Sequence, residues 1–117
     1  MNSNIEQTIR KAYKAFNDRQ VDDVLELMDP DVHWPNGWEG GYVNGHEQVR
    51  EYWTRQWKQL DPEVSPLSLN KISDNKVEVK VQQKVKDLEG KIIFEGIVKH
   101  IYTFKQGLIK SMEIEES

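Results

Sequence analysis

Three histidines, His33, His46 and His100, are the side chains of this sequence that titrate near neutrality without special help. His100 shares strand parity with Val98, Tyr102 and Phe104, so it is expected to point toward the helix-covered side of its strand. That makes His100 the leading polar group of a pocket and the first candidate for an acid/base, with a hydrogen-bonded core histidine as the structural alternative. His33 alternates with Val32 and Trp34 and is expected to face away from them; it is the second acid/base candidate if that facing is reversed. No HxH or HExxH spacing joins the three histidines and the chain has no cysteine, so neither a metal site nor a thiol nucleophile is expected. Asp29, Asp31, Glu39 and Glu95 fall near expected pocket rims, but a carboxylate needs burial or a like-charged neighbour to become a base near pH 7. The run Gly37-Trp38-Glu39-Gly40-Gly41 has neither phosphate-cradle spacing, and no serine-nucleophile motif occurs, so no cofactor is expected.

The aromatic residues are more informative. All four tryptophans lie between Trp34 and Trp57. Trp53 and Trp57 stand one turn apart on an apolar helical stripe, where filling the core and walling a pocket are both open to them. Trp38, among glycines, reads as a lid over a cavity or a plug in a partner's surface. Gln56 sits inside the same stripe, and a buried amide left unpaired costs about 1–3 kcal/mol, so a backbone carbonyl, the Tyr13 hydroxyl or a ligand must meet it. Tyr13 lies on the apolar face of the first helix, where its hydroxyl reaches either a pocket or structural water.

The elements that position these groups follow from periodicity. Ile5, Ile9, Ala12, Tyr13 and Phe16 predict a helix over 4–17, with Ser3 and Glu6 as a capping box. Val21, Val24, Leu25 and Met28 predict a second helix, ended by Asp29-Pro30. A short strand, Val32 to Trp34, then leads into an irregular glycine loop over 35–45. Val49, Tyr52, Trp53, Gln56, Trp57 and Leu60 predict a third helix from about His46. Beyond Pro62 the residues alternate: Leu67 and Leu69, then Val77, Val79, Val81 and Val85, predict half-buried antiparallel strands. A long strand over 92–104 is apolar on both parities, with Phe94, Val98, Tyr102 and Phe104 on one face and Ile93, Ile97 and Ile101 on the other; a final strand spans 108–115. A strand apolar on both faces needs two covering layers, and a second copy of the chain could supply one.

The expected architecture is α+β: a cone-shaped fold with three N-terminal helices packed on a curved, mostly antiparallel sheet. With 117 residues the chain is expected to form a single domain, 1–117. A net charge of −4 argues against nucleic acid and anionic membrane surfaces as partners. The start carries neither a basic nor an apolar targeting segment, so a cytoplasmic location is expected.

The element order, with Leu27 to Trp34, Gly45-His46-Glu47-Gln48-Val49-Arg50-Glu51-Tyr52-Trp53 and Tyr102 to Ile109, resembles the nuclear transport factor 2-like superfamily in its SnoaL-like branch. The resemblance implies a cone with a pocket between helices and sheet, and a homodimer through the outer sheet face. It does not imply one activity, because the superfamily hosts ketosteroid isomerases, polyketide cyclases, dehydratases, epoxide hydrolases and binding modules. Ketosteroid isomerases keep a base aspartate just before the proline of the short strand. Here that place is Trp34, so isomerase chemistry by that route is not expected.

The expected function is therefore binding of an apolar or aromatic small molecule. Tyr13, Trp34, Trp53, Trp57, Phe94 and Tyr102 would be the walls, Gln56 and His100 the orienting polar groups, and Trp38 a lid. A cofactor-independent isomerase, lyase or hydrolase using His100 or His33 in the same pocket is the alternative. A filled cone serving as a protein-interaction module is the third reading.

Overall fold

A computed structural model of the chain describes residues 3–37 and 39–116. Helix α1 (Ser3–Asn17) buries Ile9, Ala12 and Tyr13, while Arg10–Glu6 and Lys14–Asp18 pairs occupy its solvent side. The Ser3 side chain of the expected capping box lies outside the described residues. At the other end Gln20 N–H bonds the Ala15 carbonyl and Arg19 N–H the Phe16 carbonyl, with Arg19 left-handed at φ 63°. This is a Schellman closure with arginine where glycine is usual. The Asn17 side chain donates to the Val64 carbonyl (2.7 Å) and accepts from the Val64 N–H (2.9 Å), tying the end of α1 to the sheet.

Helix α2 (Val21–Leu25) is shorter than its apolar spacing predicts. Met28, expected on it, instead opens strand β1 (Met28–Pro35), because the backbone there pairs in parallel with the last strand at Ile109. Pro30 is tolerated inside β1 because its missing N–H is not needed: the neighbouring β2 (Tyr42–Asn44) pairs only with residues 33–35. The expected irregular loop thus contains a strand, β2. Helix α3 (Gly45–Trp57) follows directly; Gly45 has φ 81°, and a Cβ there would stand 3.4 Å from the Pro30 carbonyl oxygen. Val49, Tyr52 and Trp53 are the buried part of its stripe. Leu60, expected to extend that stripe, instead starts β3 (Leu60–Ser73).

Strands β3, β4 (Lys76–Asp87), β5 (Ile92–Lys105) and β6 (Leu108–Glu116) form the expected antiparallel meander, and the β1–β2 hairpin extends it to six strands in the order β2-β1-β6-β5-β4-β3. Only the β1–β6 junction is parallel. Three helices pack against this open sheet, whose inner face is built from Val77, Val79, Val81, Val98, Tyr102, Phe104, Ile109 and Met112. Two expected facings are corrected by register irregularities. One between Pro66 and Ser68 leaves Leu67 exposed, although alternation placed it with Leu69. Another opposite Val85 and Lys86 makes Ile93 the unpaired extra residue, and it joins Phe94 at the mouth of the cone instead of standing with Ile97 and Ile101 on the outer face. No described helix is long and apolar enough to cross a membrane.

Candidate functional site

The cone encloses a cavity of about 410 Å³ between the helices and the inner sheet face. Tyr13 and Phe16 enter from α1, Trp34 from β1, and Tyr52, Trp53 and Gln56 from α3. Gln83 and Val85 come from β4; Phe94, Val98, His100 and Tyr102 from β5; Met112 and Ile114 from β6. The aromatic rings meet edge to face: Trp34 on Trp53 at 5.7 Å and Trp53 on Phe16 at 5.2 Å between centroids. Phe94 is 47% exposed and marks the mouth; Tyr102 is buried at the opposite end.

Seven of the residues singled out in the sequence are thus brought together: Tyr13, Trp34, Trp53, Gln56, Phe94, His100 and Tyr102. Trp57 is not among the lining residues. It backs the wall, 5.4 Å from the Phe16 ring and 5.9 Å from Trp53, with the Arg19 guanidinium 5.1 Å over its face. Its indole Nε1 is buried without a hydrogen-bond partner among the described residues. Trp38 lies outside the described residues. His33 points away from the cavity: its ring stacks on Tyr42 at 4.2 Å and its Nδ1–H donates to Asn44 Oδ1. His46 donates from Nε2 to the Met28 carbonyl at 3.0 Å.

At the inner end three groups form one hydrogen-bonded line. The Tyr102 hydroxyl donates to that of Tyr13 (2.8 Å), and the Tyr13 oxygen lies 2.7 Å from Nδ1 of His100. Burial pulls the His100 pKa down to about 4 and pushes both tyrosine pKa values up, with the neighbouring Tyr102 adding to the rise at Tyr13. All three are therefore neutral at pH 7. With Tyr102 donating to it, the Tyr13 hydroxyl finds among the described residues one acceptor for its own proton, Nδ1, and satisfying that donor assigns the imidazole proton to Nε2. No protein group among the described residues bonds that Nε2, nor is it sealed from the cavity.

Gln56 is half-buried and meets neither a backbone carbonyl nor the Tyr13 hydroxyl; its amide opens on the cavity. Gln83, missed in the sequence, stands in the same condition on the sheet side. The signal for it is strand parity: it keeps step with Val79, Val81 and Val85, so it has to face inward. Three of the four carboxylates expected at the rims, those of Asp29, Glu39 and Glu95, have other partners, and that of Asp31 is exposed and does not line the cavity. Asp29 accepts from the Asp31 N–H and lies 3.5 Å from Lys110; Glu39 is held below the usual carboxylate range by Arg55 and by Asn36; Glu95 faces Lys84. Among the described residues lining the cavity there is no Asp, Glu, Lys or Arg, and no group of metal-ligating side chains forms anywhere among the described residues.

A six-stranded, mostly antiparallel open sheet under three helices, with a cavity between them, is the α+β architecture of nuclear transport factor 2-like proteins. The family of SnoaL-like domains matches residues 9–112, and the chain belongs to it. A nuclear transport factor 2-like protein of unknown function from Burkholderia pseudomallei K96243 superposes with a TM-score of 0.85 at 23% identity, over 100% of this chain and 92% of that one. TerC, co-crystallized with polyporic acid, gives 0.84 at 25% identity, over 97% and 92%. SalBIII, an epoxide hydrolase/cyclase-like enzyme of pyran ring formation in salinomycin, gives 0.81 at 16% identity, over 97% and 90%. No curated protein sequence matches the chain.

Proposed function

We propose that the protein binds an apolar, aromatic small molecule in the cavity. The observation that carries this reading is the cavity itself: about 410 Å³, walled by Trp34, Trp53, Phe16 and Phe94, with a few convergent polar groups at its inner end. A filled cone serving only as an interaction module would leave no such space. TerC, of the same architecture, was co-crystallized with the small molecule polyporic acid, which supports small-molecule binding as a use of this fold. The geometry favours binding over turnover by a histidine base, because an imidazole held near pKa 4 takes up little proton at pH 7 and no carboxylate lines the cavity. A saturating planar ligand is expected to quench tryptophan emission through Trp34 and Trp53 and to stabilise the fold by about 2.7 kcal/mol at a hundredfold excess over Kd. A broad panel of planar apolar compounds that changed neither emission nor melting temperature would remove this reading.

The same reading includes a homodimer through the outer sheet face. There Ile101 stands in a row with Glu78 and Glu113, the next row holds Lys80, Lys99 and Glu115, and Ile97 lies beyond it beside Gln82; a two-fold axis can lay each copy's lysines on the other's glutamates. Sedimentation equilibrium at low ionic strength is expected to give a dimer that salt weakens; a monomer at all concentrations refutes it.

A further inference from the structure

The polar content of the cavity is unusual in kind. Besides the indole N–H groups of Trp34 and Trp53, six lining residues carry polar side chains, Tyr13, Tyr52, Gln56, Gln83, His100 and Tyr102; the two glutamines do not ionise, and burial keeps Tyr13, His100 and Tyr102 neutral at pH 7. Two arginines that flank the wall are already engaged elsewhere. Arg19 covers the faces of Phe16 and Trp57 and pairs with Asp61, and Arg55 pairs with Glu39. An anion entering the cavity would give up its hydration with no cation to replace it, and an ammonium would find no carboxylate.

The inner end is also directional. The line Tyr102, Tyr13, His100 passes its protons one way, toward Nδ1, so the imidazole offers the cavity a donor and no acceptor. Donation into Nδ1 polarises the ring and strengthens that remaining N–H. Gln83 stands nearer the mouth. The Gln83 rung, paired with Gly96, lies four residues from that of His100, about 13 Å along β5.

We propose that the cavity selects an uncharged ligand that presents a hydrogen-bond acceptor, such as a carbonyl oxygen, to Nε2–H of His100, and that it rejects organic anions and ammonium ions of the same shape. This deepens the proposed function and rests on it. It adds polarity, charge and orientation to what was a statement about shape.

The test is calorimetric titration at about pH 7 of four matched probes: naphthalene, 2-acetylnaphthalene, 2-naphthoate and 2-naphthylmethylammonium. The ketone is expected to bind roughly tenfold more tightly than naphthalene, the worth of one hydrogen bond to a buried donor. Both ions are expected to bind at least about 100-fold more weakly than the ketone. In His100→Leu the advantage of the ketone over naphthalene should vanish while naphthalene binding persists; in His100→Gln, which keeps an N–H, part of the advantage should return. Should His100→Leu fail to fold, the comparison of ketone and ions on the native protein still decides. Naphthoate binding as well as the ketone, or an undiminished ketone advantage in His100→Leu, overturns the inference and leaves the cavity as a ligand site intact. Failure of all four probes, together with the planar panel, overturns both.

Discussion

Between pH 6.5 and 4 the folded protein is expected to lose about 3 kcal/mol of stability through His100 alone, and a His100→Leu variant should lack that loss. In the unfolded chain the imidazole takes up a proton near its ordinary pKa of 6.5; in the folded chain burial postpones this to about 4. Within that window the unfolded state binds more protons, so falling pH favours it. Above the window the histidine is neutral in both states and contributes no pH dependence. Below it both states are protonated and the whole penalty persists. The groups packed on the ring, Tyr13 from α1 and Tyr102 on β5 itself, stay protonated throughout and cannot offset a charge there. Denaturant unfolding at about pH 7.5, 5.5 and 4.5 measures the slope. The leucine variant will start from lower stability, because Tyr13 loses its acceptor, but its curve should be flatter by the stated amount. Parallel curves would show that His100 is not buried neutral.

Replacing Trp53 by alanine is expected to cost about 3–5 kcal/mol and to weaken any ligand of the cavity severely. Trp53 is 3% exposed and holds three rings in place: Phe16 and Trp34 edge to face, and Trp57 behind. Removing it leaves a void between α1, α3 and β1 and erases the wall common to all three. Trp57→Ala is the matched control. Trp57 is half-buried and stands outside the lining, so its loss should cost less stability and leave ligand affinity within about threefold. Thermal melts and titrations on both variants separate wall from backing. Equal effects on affinity would show that the cavity extends to Trp57.

Much of this site is legible in the sequence because strand parity is a strict period of two. Parity alone puts His100 on the side of Val98 and Tyr102, and His33 opposite Val32 and Trp34, and both face as expected. Gln83 is equally legible from the valines flanking it. Helical spacing is less decisive, since an apolar stripe is wider than the strip that reaches a cavity. Trp53, Gln56 and Trp57 all belong to the stripe of α3, yet only Trp53 and Gln56 reach the space, and Trp57 is turned onto Phe16 and under Arg19.

Other features have no local signal. Met28 and Leu60 continue helical spacing and are strand residues because β6 and β4 offer them partners from far along the chain. Ile93 changes sides because one irregularity in register against β4 adds a residue to β5.

By itself, then, the sequence determined the helices, the meander, the inward parity of His100 and Tyr102, and the absence of cysteine and of any metal or phosphate motif, because composition and period are local properties. Only the tertiary structure decided that Tyr102, Tyr13 and His100 share one line of hydrogen bonds, and that the space they face is bounded by no charged side chain among the described residues. Those depend on α1 meeting β5 across some 87 residues of chain, a contact that register and packing create and no local pattern encodes.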